Sequence, residues 1–147
     1  MTRVDFYFNA PDKLATAARL VRKACRAKKK VLVFTRDAAM LDAFDRLLWT
    51  APAIGFVPHC RAHDALAGET PVLLTADAAV APHHEILLNL DHERPDNFSR
   101  FDRLLEIVSR DDADDRSLAR ARFKFYRDRG YEIVQNDLNQ AVNQGTE

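Results

Sequence analysis

Residues 3–34 read RVDFYFNAPDKLATAARLVRKACRAKKKVLVF, and the change of period inside this stretch decides the fold. From Arg3 to Phe8 the residues alternate, with Val4, Phe6 and Phe8 on one face and Asp5 and Tyr7 on the other, and Asn9-Ala10-Pro11-Asp12 follows as a turn signal. From Asp12 to Ala27 the period becomes helical. Leu14, Ala17, Ala18, Val21, Ala24 and Cys25 form one stripe, and Lys13, Arg19, Arg22, Lys23 and Arg26 fall mostly outside it. Lys30 to Phe34 is a short β-branched run without alternation, as a strand covered on both faces requires. Parallel neighbours need a crossover connection and a helix supplies it, so the expected fold is a three-layer α/β/α sandwich around a mostly parallel, Rossmann-like sheet.

The pattern continues outward. Asp37 to Trp49 repeats the helical spacing through Ala38, Leu41, Phe44, Leu47 and Leu48, and Pro71 to Thr75 and Ile86 to Leu90 read as two further strands. Phe101 to Val108 is expected as a short helix. Asp111 to Arg129 reads as a longer one, broken at Gly130, with Tyr131 to Val134 as a last strand. At 147 residues and 47% hydrophobic content the chain suits one α/β domain, expected over 1–135, followed by a polar, frayed tail over 136–147.

Composition excludes several functions. Lys and Arg number 22, as do Asp and Glu, so no global positive field drives indiscriminate binding to phosphate, and electrostatic recognition must be local. Cys25 and Cys60 are too few for a disulfide framework, which suits a reducing cytoplasm. Charged and aromatic residues follow Met1 and no run approaches the roughly 18 apolar residues of a membrane span, so neither secretion nor membrane insertion is expected. With glycine only at 55, 68, 130 and 145, neither a dinucleotide turn nor a phosphate loop can be built. Ser99, Ser109 and Ser117 lie in no nucleophile elbow. A non-enzyme without cofactor is expected.

Two clusters resemble metal sites. His59, Cys60 and His63, with His83 and His84, have ligand chemistry but no closed-site spacing, and ordinary loop residues around a half-buried Cys60 are the expectation. Asp111, Asp112, Asp114 and Asp115 lack the glycine and terminal glutamate of a calcium loop; acids at a helix start complement its dipole.

From Arg116 to Arg129 six basic residues stand against one acid, Asp128. At about 100° per residue, Arg116, Arg120, Lys124 and Arg127 share one sector with Phe123, while Leu118, Ala121 and Phe125 point the opposite way. If the Leu118 and Phe125 side packs on the sheet, Phe123 is an aromatic ring among cations on the solvent side. Such a surface fits either a stacking platform for single-stranded nucleic acid or a pocket for an acidic peptide carrying an apolar residue. The plain alternative is a ring against a neighbouring loop with cations balancing the helix dipole. A second segment, Leu47 to His59, is as apolar as a strand, yet Pro52, Gly55 and Pro58 interrupt it. Core packing is its default reading, and a partner anchor the other.

Three motifs together resemble the chi-subunit family of bacterial DNA polymerase III. They are Phe6-Tyr7, the run Leu48-Trp49-x-x-Pro52-x-x-x-Phe56-Val57-Pro58-His59, and Leu118-Ala119-Arg120-x-Arg122-Phe123-Lys124-x-Tyr126-Arg127, and the match extends from about Val4 to Glu132. The resemblance implies a non-catalytic adaptor on a nucleotide-binding-like fold without a nucleotide site. It would bind the psi subunit and through it the clamp loader, and also the acidic C-terminal tail, ending in Pro-Phe, of single-stranded DNA-binding protein. On this resemblance Arg120 and Lys124 would meet the tail's carboxylates, Phe123 would wall the pocket for its terminal ring, and Arg116 and Arg127 would extend the positive rim. Trp49, Pro52 and Phe56 would lie in the psi contact. DNA would be engaged indirectly, in the cytoplasm, at the replisome. On this resemblance a Tyr would be expected where this chain has Phe123, and the acids Asp111 to Asp115, if free, would repel an acidic tail.

Overall fold

A computed structural model of the chain describes residues 1–50, 57–79 and 81–139. Seven strands, β1 (Arg3–Ala10), β2 (Val31–Phe34), β3 (His59–Arg61), β4 (Val72–Thr75), β5 (Ile86–Asn89), β6 (Arg103–Ser109) and β7 (Glu132–Asp137), form one sheet in the order β3-β4-β2-β5-β6-β1-β7. Every pairing among them is parallel. Helices α1 (Lys13–Arg26) and α2 (Ala38–Thr50) cover one face and α3 (Ala113–Asp128) the other, which is the three-layer sandwich expected.

The pleat sorts each strand between two cores. Val31 and Val33 pack with Ala17, Val21, Leu41 and Phe44 beneath α1 and α2. Leu32 and Phe34 turn the other way, toward Phe6, Phe98, Phe101 and Tyr126 beneath α3. Burial on both faces is why β2 shows no alternation.

Each helix starts on an aspartate. Asp12, Asp37 and Asp112 accept hydrogen bonds from the backbone N–H groups of Ala15 (3.1 Å), Met40 (3.2 Å) and Asp115 (3.1 Å), so a donor without an intrahelical partner is satisfied each time. Helix α3 ends on Gly130 at φ 80, where the N–H groups of Gly130 and Tyr131 reach the carbonyls of Arg127 (3.0 Å) and Tyr126 (3.1 Å). Helix α1 closes in the same way through Lys28, at φ 60.

Three sequence expectations are corrected. Phe101 to Val108 holds no α-helix; Arg103–Ser109 is β6, paired with β5 and β1. Leu104, Leu105, Ile107 and Val108 are buried toward both cores, and an apolar run buried on both sides carries no period that separates strand from helix. His59 is not a loop residue but begins the edge strand β3, which three residues were too short to announce. The frayed tail does not begin at Asn136: β7 runs to Asp137, and Asn9 Nδ2 donates to Asp137 Oδ1 at 2.9 Å. Residues 140–147 of that tail, and Pro52 and Phe56 of the psi-contact reading, lie outside the described residues.

Candidate functional site

In doubly wound sheets, ligands sit beyond the carboxyl ends of adjacent strands whose following helices leave on opposite faces. Here those strands are β1, followed by α1, and β6, followed by α3. An ion pair joins the starts of the two helices there. Lys13 Nζ lies 3.0 Å from Asp115 Oδ1, both side chains are nearly buried, and Asp115 Oδ2 accepts from the Ser109 N–H at 2.9 Å. Burial pushes the Asp115 carboxyl up, but the Ser109 N–H and the Lys13 ammonium outweigh it and hold the group below its ordinary range.

A concavity lies nearby, between α3 and the β1–β7 edge. It is a cleft of about 230 Å³ whose floor is Phe6 and Phe8 of β1 and Val108 of β6, with Gln135 of β7 to one side. Ala119 and Phe123 form the helix wall, and Arg116 and Arg120 stand on the rim with Asn9. Asn9, at φ 63, falls where the β1–β6 register shifts between Tyr7 and Ala10. Such bulges re-aim neighbouring side chains, and Asn tolerates the left-handed region better than most residues.

The face of α3 that meets the sheet differs from the expected one. Its buried residues are Asp115, Ala119, Arg122 and Tyr126, whereas Leu118 is 40% exposed and Ala121 is exposed as well. What rotates the helix is a buried acid. Glu106 of β6, wholly inaccessible, accepts from Arg122 Nε (3.1 Å), Tyr126 Oη (2.7 Å) and Asn89 Nδ2 (3.2 Å). Burial first, then the neighbouring Glu106 charge, pushes the Tyr126 hydroxyl far above its usual range, so it remains a donor. Phe123 consequently sits at the border of the buried face rather than alone in solvent. It is half-buried, with its ring centroid 5.2 Å from that of Phe6, and its remaining surface lines the cleft. Phe125 packs on the opposite flank, with the guanidinium groups of Arg94 and Arg129 each 3.6 Å from its ring centre.

Of the five residues assigned to the tail site from the sequence, the structure brings Arg116, Arg120 and Phe123 together at the cleft. Arg127 lies along the helix, 3.4 Å from Asp128, and Lys124 is exposed beyond the rim. Among the described residues neither Arg120 nor Lys124 has an ion-pair partner, whereas Arg116 Nη1 donates to the Arg110 carbonyl at 3.0 Å. The acids before the helix are largely engaged: Asp111 pairs with Arg110 at 3.0 Å, Asp112 caps the helix and Asp115 is buried. Phe8, Val108 and Gln135 were not singled out. The alternation of β1 already put Phe8 beside Phe6, but nothing local indicated that β7 would lie beside β1.

Trp49, at the end of α2, is 59% exposed, and its ring centroid lies 4.9 Å from that of His59. His59 is itself buried, with its ring nitrogens 2.7 Å from the Val57 carbonyl and 2.9 Å from Asp45 Oδ1. His83 and His84 stand edge-on to Phe101, and among the described residues no group of three or more His, Cys, Asp and Glu side chains is placed to hold a metal ion. No described helix is long and apolar enough to cross a membrane.

A cavity of about 150 Å³ lined by apolar side chains holds one benzene ring. The cleft therefore has room for a phenyl group and a carboxylate against Arg116 or Arg120, and falls below the roughly 300 Å³ at which small-molecule pockets begin. Comparison with known proteins agrees with the motif reading. The family model described as "DNA polymerase III chi subunit, HolC" matches residues 1–134. A Pseudomonas aeruginosa protein named DNA polymerase III subunit chi is 34% identical over 142 residues, covering 94% of this chain and 98% of its own. Its namesakes from Haemophilus influenzae and Escherichia coli are each 30% identical, over 118 residues (80% and 81% of the two chains) and 109 residues (74% of each). With the family model matching residues 1–134 and a relative 34% identical over 94% of the chain, the chain belongs to the DNA polymerase III chi subunit family.

Proposed function

We propose that the chain is a non-catalytic replisome adaptor that holds the acidic, Pro-Phe-ended tail of single-stranded DNA-binding protein in the α3 cleft. On a separate surface around Trp49 it binds the psi subunit, and through psi it joins the clamp loader. The observation that carries this reading is the half-buried Phe123 beside Phe6 and Phe8, with Arg116 and Arg120 above them. An apolar floor takes a terminal ring, and a guanidinium at its edge grips a carboxylate through two parallel hydrogen bonds. The remaining cations steer the acidic segment toward the helix, a contribution that salt screens. The chain acts at the replisome of the bacterial cytoplasm, needs no cofactor, and meets DNA at this site only through the protein that coats it.

A stacking platform for bare single strands on Arg116 to Arg129 is the competing reading. It is disfavoured because Arg122 is buried against Glu106, Arg127 lies beside Asp128, and Phe123 leans on Phe6 rather than standing free for a base. The discriminating experiment measures retention of the chain on immobilised single strands coated with binding protein, either intact or lacking its tail. Retention only on the intact coat, lost with Arg120→Ala, is expected. Equal retention on the tailless coat would overturn the reading.

A further inference from the structure

Between Lys13 and Arg36 the chain carries nine cations and no carboxylate, a segregation that the overall neutrality conceals. Lys13 is paired with Asp115, Arg36 with Asp91, and Arg22 is buried. The others, Arg19, Lys23, Arg26, Lys28, Lys29 and Lys30, are exposed. Arg19, Lys23 and Arg26 follow one another four and three residues apart on the outer face of α1, and the turn at 28–30 carries the line to the start of β2. Among the described residues, none of the side chains of Lys23, Arg26, Lys28, Lys29 and Lys30 makes a hydrogen bond or ion pair. The Glu85 carboxylate, which reaches this turn, accepts from the Lys30 backbone N–H at 3.0 Å.

The helix dipole does not account for this density. A helix C-terminus is equivalent to about −0.5 charge and acts within its last turn, which one or two cations complement. Lys28 also occupies, at φ 60, the position that Gly130 fills at the end of α3, so a cation stands where the backbone favours glycine. The spacing along the helix suits a polyanion of high linear charge. Arg19 to Arg26 span about 10 Å at 1.5 Å per residue, and duplex DNA presents one charge per roughly 1.7 Å of its axis. The only aromatic residue in the segment, Phe34, is buried, so no ring is offered on which an unpaired base could stack. Recognition by phosphate charge alone favours a duplex.

We propose that the outer face of α1 and the turn at 28–30 bind the phosphate backbone of duplex DNA without sequence preference. The surface lies on the sheet face opposite α3, so it and the cleft can be occupied together. The choice of DNA rests on the replisome reading above; the recognition of a phosphate backbone does not.

The test is fluorescence anisotropy of a labelled DNA duplex titrated with the full chain between about 50 and 200 mM salt. Lys23→Gln/Arg26→Gln and Lys28→Gln/Lys29→Gln/Lys30→Gln are compared with Arg120→Gln/Lys124→Gln, each checked for unchanged thermal unfolding. Low-salt binding is expected to weaken about 10-fold or more in each α1 variant, with a salt slope shallower by about 0.9 per phosphate contact removed. The Arg120/Lys124 variant should bind the duplex as the parent does and lose the acidic Pro-Phe-ended peptide, which separates failure of this inference from failure of the cleft assignment. A parent that does not bind duplex, or α1 variants that bind it unchanged, would overturn the proposal. So would α1 variants that keep the duplex and lose the acidic peptide, which would assign the face to a protein partner.

Discussion

Replacing Glu106 with leucine is expected to cost about 3–5 kcal/mol, because it leaves a buried guanidinium without its counter-charge. Arg122 is 4% exposed and its Nε lies 3.1 Å from Glu106 Oε1, so loss of the carboxylate leaves the buried cation with the His92 carbonyl, 2.5 Å from Nη1, in place of a hydrogen-bonded counter-charge. The Tyr126 hydroxyl (2.7 Å) and Asn89 amide (3.2 Å) lose an acceptor at the same time. Against a total of about 5–15 kcal/mol, that removes a large share of the stability. At about 2–4 °C per kcal/mol for a chain of this size, the melting temperature falls by about 6–20 °C. Glu106→Leu/Arg122→Met removes both charges, and with them the Arg122 Nη2 that is buried without a partner among the described residues, so most of the loss should return. Urea unfolding of the parent, both single variants and the double variant closes the cycle. A single-variant loss below about 1 kcal/mol, or a double variant no more stable than Glu106→Leu, would refute the claim that this pair sets the seat of α3.

Further outcomes follow from the same contacts. Asp115 is held below the ordinary carboxylate range, so its contribution is complete above that range and disappears as pH falls through the lowered value. The gap in urea midpoint between parent and Asp115→Asn should therefore be widest near neutrality and close in acid, and a gap that persists unchanged into acid would contradict it. Phe123→Ala is expected to weaken acidic-peptide binding at least about 10-fold, or about 1.4 kcal/mol, whereas Phe123→Tyr keeps the ring and the affinity; calorimetric titration reads both. Trp49→Ala should abolish co-purification with psi and leave thermal unfolding nearly unchanged, since the ring is largely exposed; a collapsed fold would instead make Trp49 a core residue.

The sandwich was legible because α1 and α2 each carry a helical period and begin on a capping aspartate, and because β2, though it has no alternation, is a short β-branched run set between them. Strand β6 was not, because Leu104 to Val108 serve two cores and the pattern that marks one-sided burial is absent. The α3 cleft was half legible. The cationic sector of α3 could be drawn from angular spacing alone, but the rotation of the helix depends on Arg122 finding Glu106, a partner 16 residues away on a strand read as helix. Without that pair, six basic residues looked equally exposed, and Phe123 appeared stranded rather than seated on Phe6. The floor of the cleft depends on β1 lying between β6 and β7, a register that no local pattern encodes.

The most direct measurement is a titration of the full chain with the tail peptide of the host's own single-stranded DNA-binding protein, as the free acid and as the C-terminal amide, at low and high salt. Saturable binding of the free acid that weakens with salt, falls at least about 10-fold on amidation and disappears in Phe123→Ala is expected of a cleft in which Arg116 and Arg120 grip a terminal carboxylate above a phenylalanine floor. Equal affinity for acid and amide, undiminished in Phe123→Ala, would contradict it.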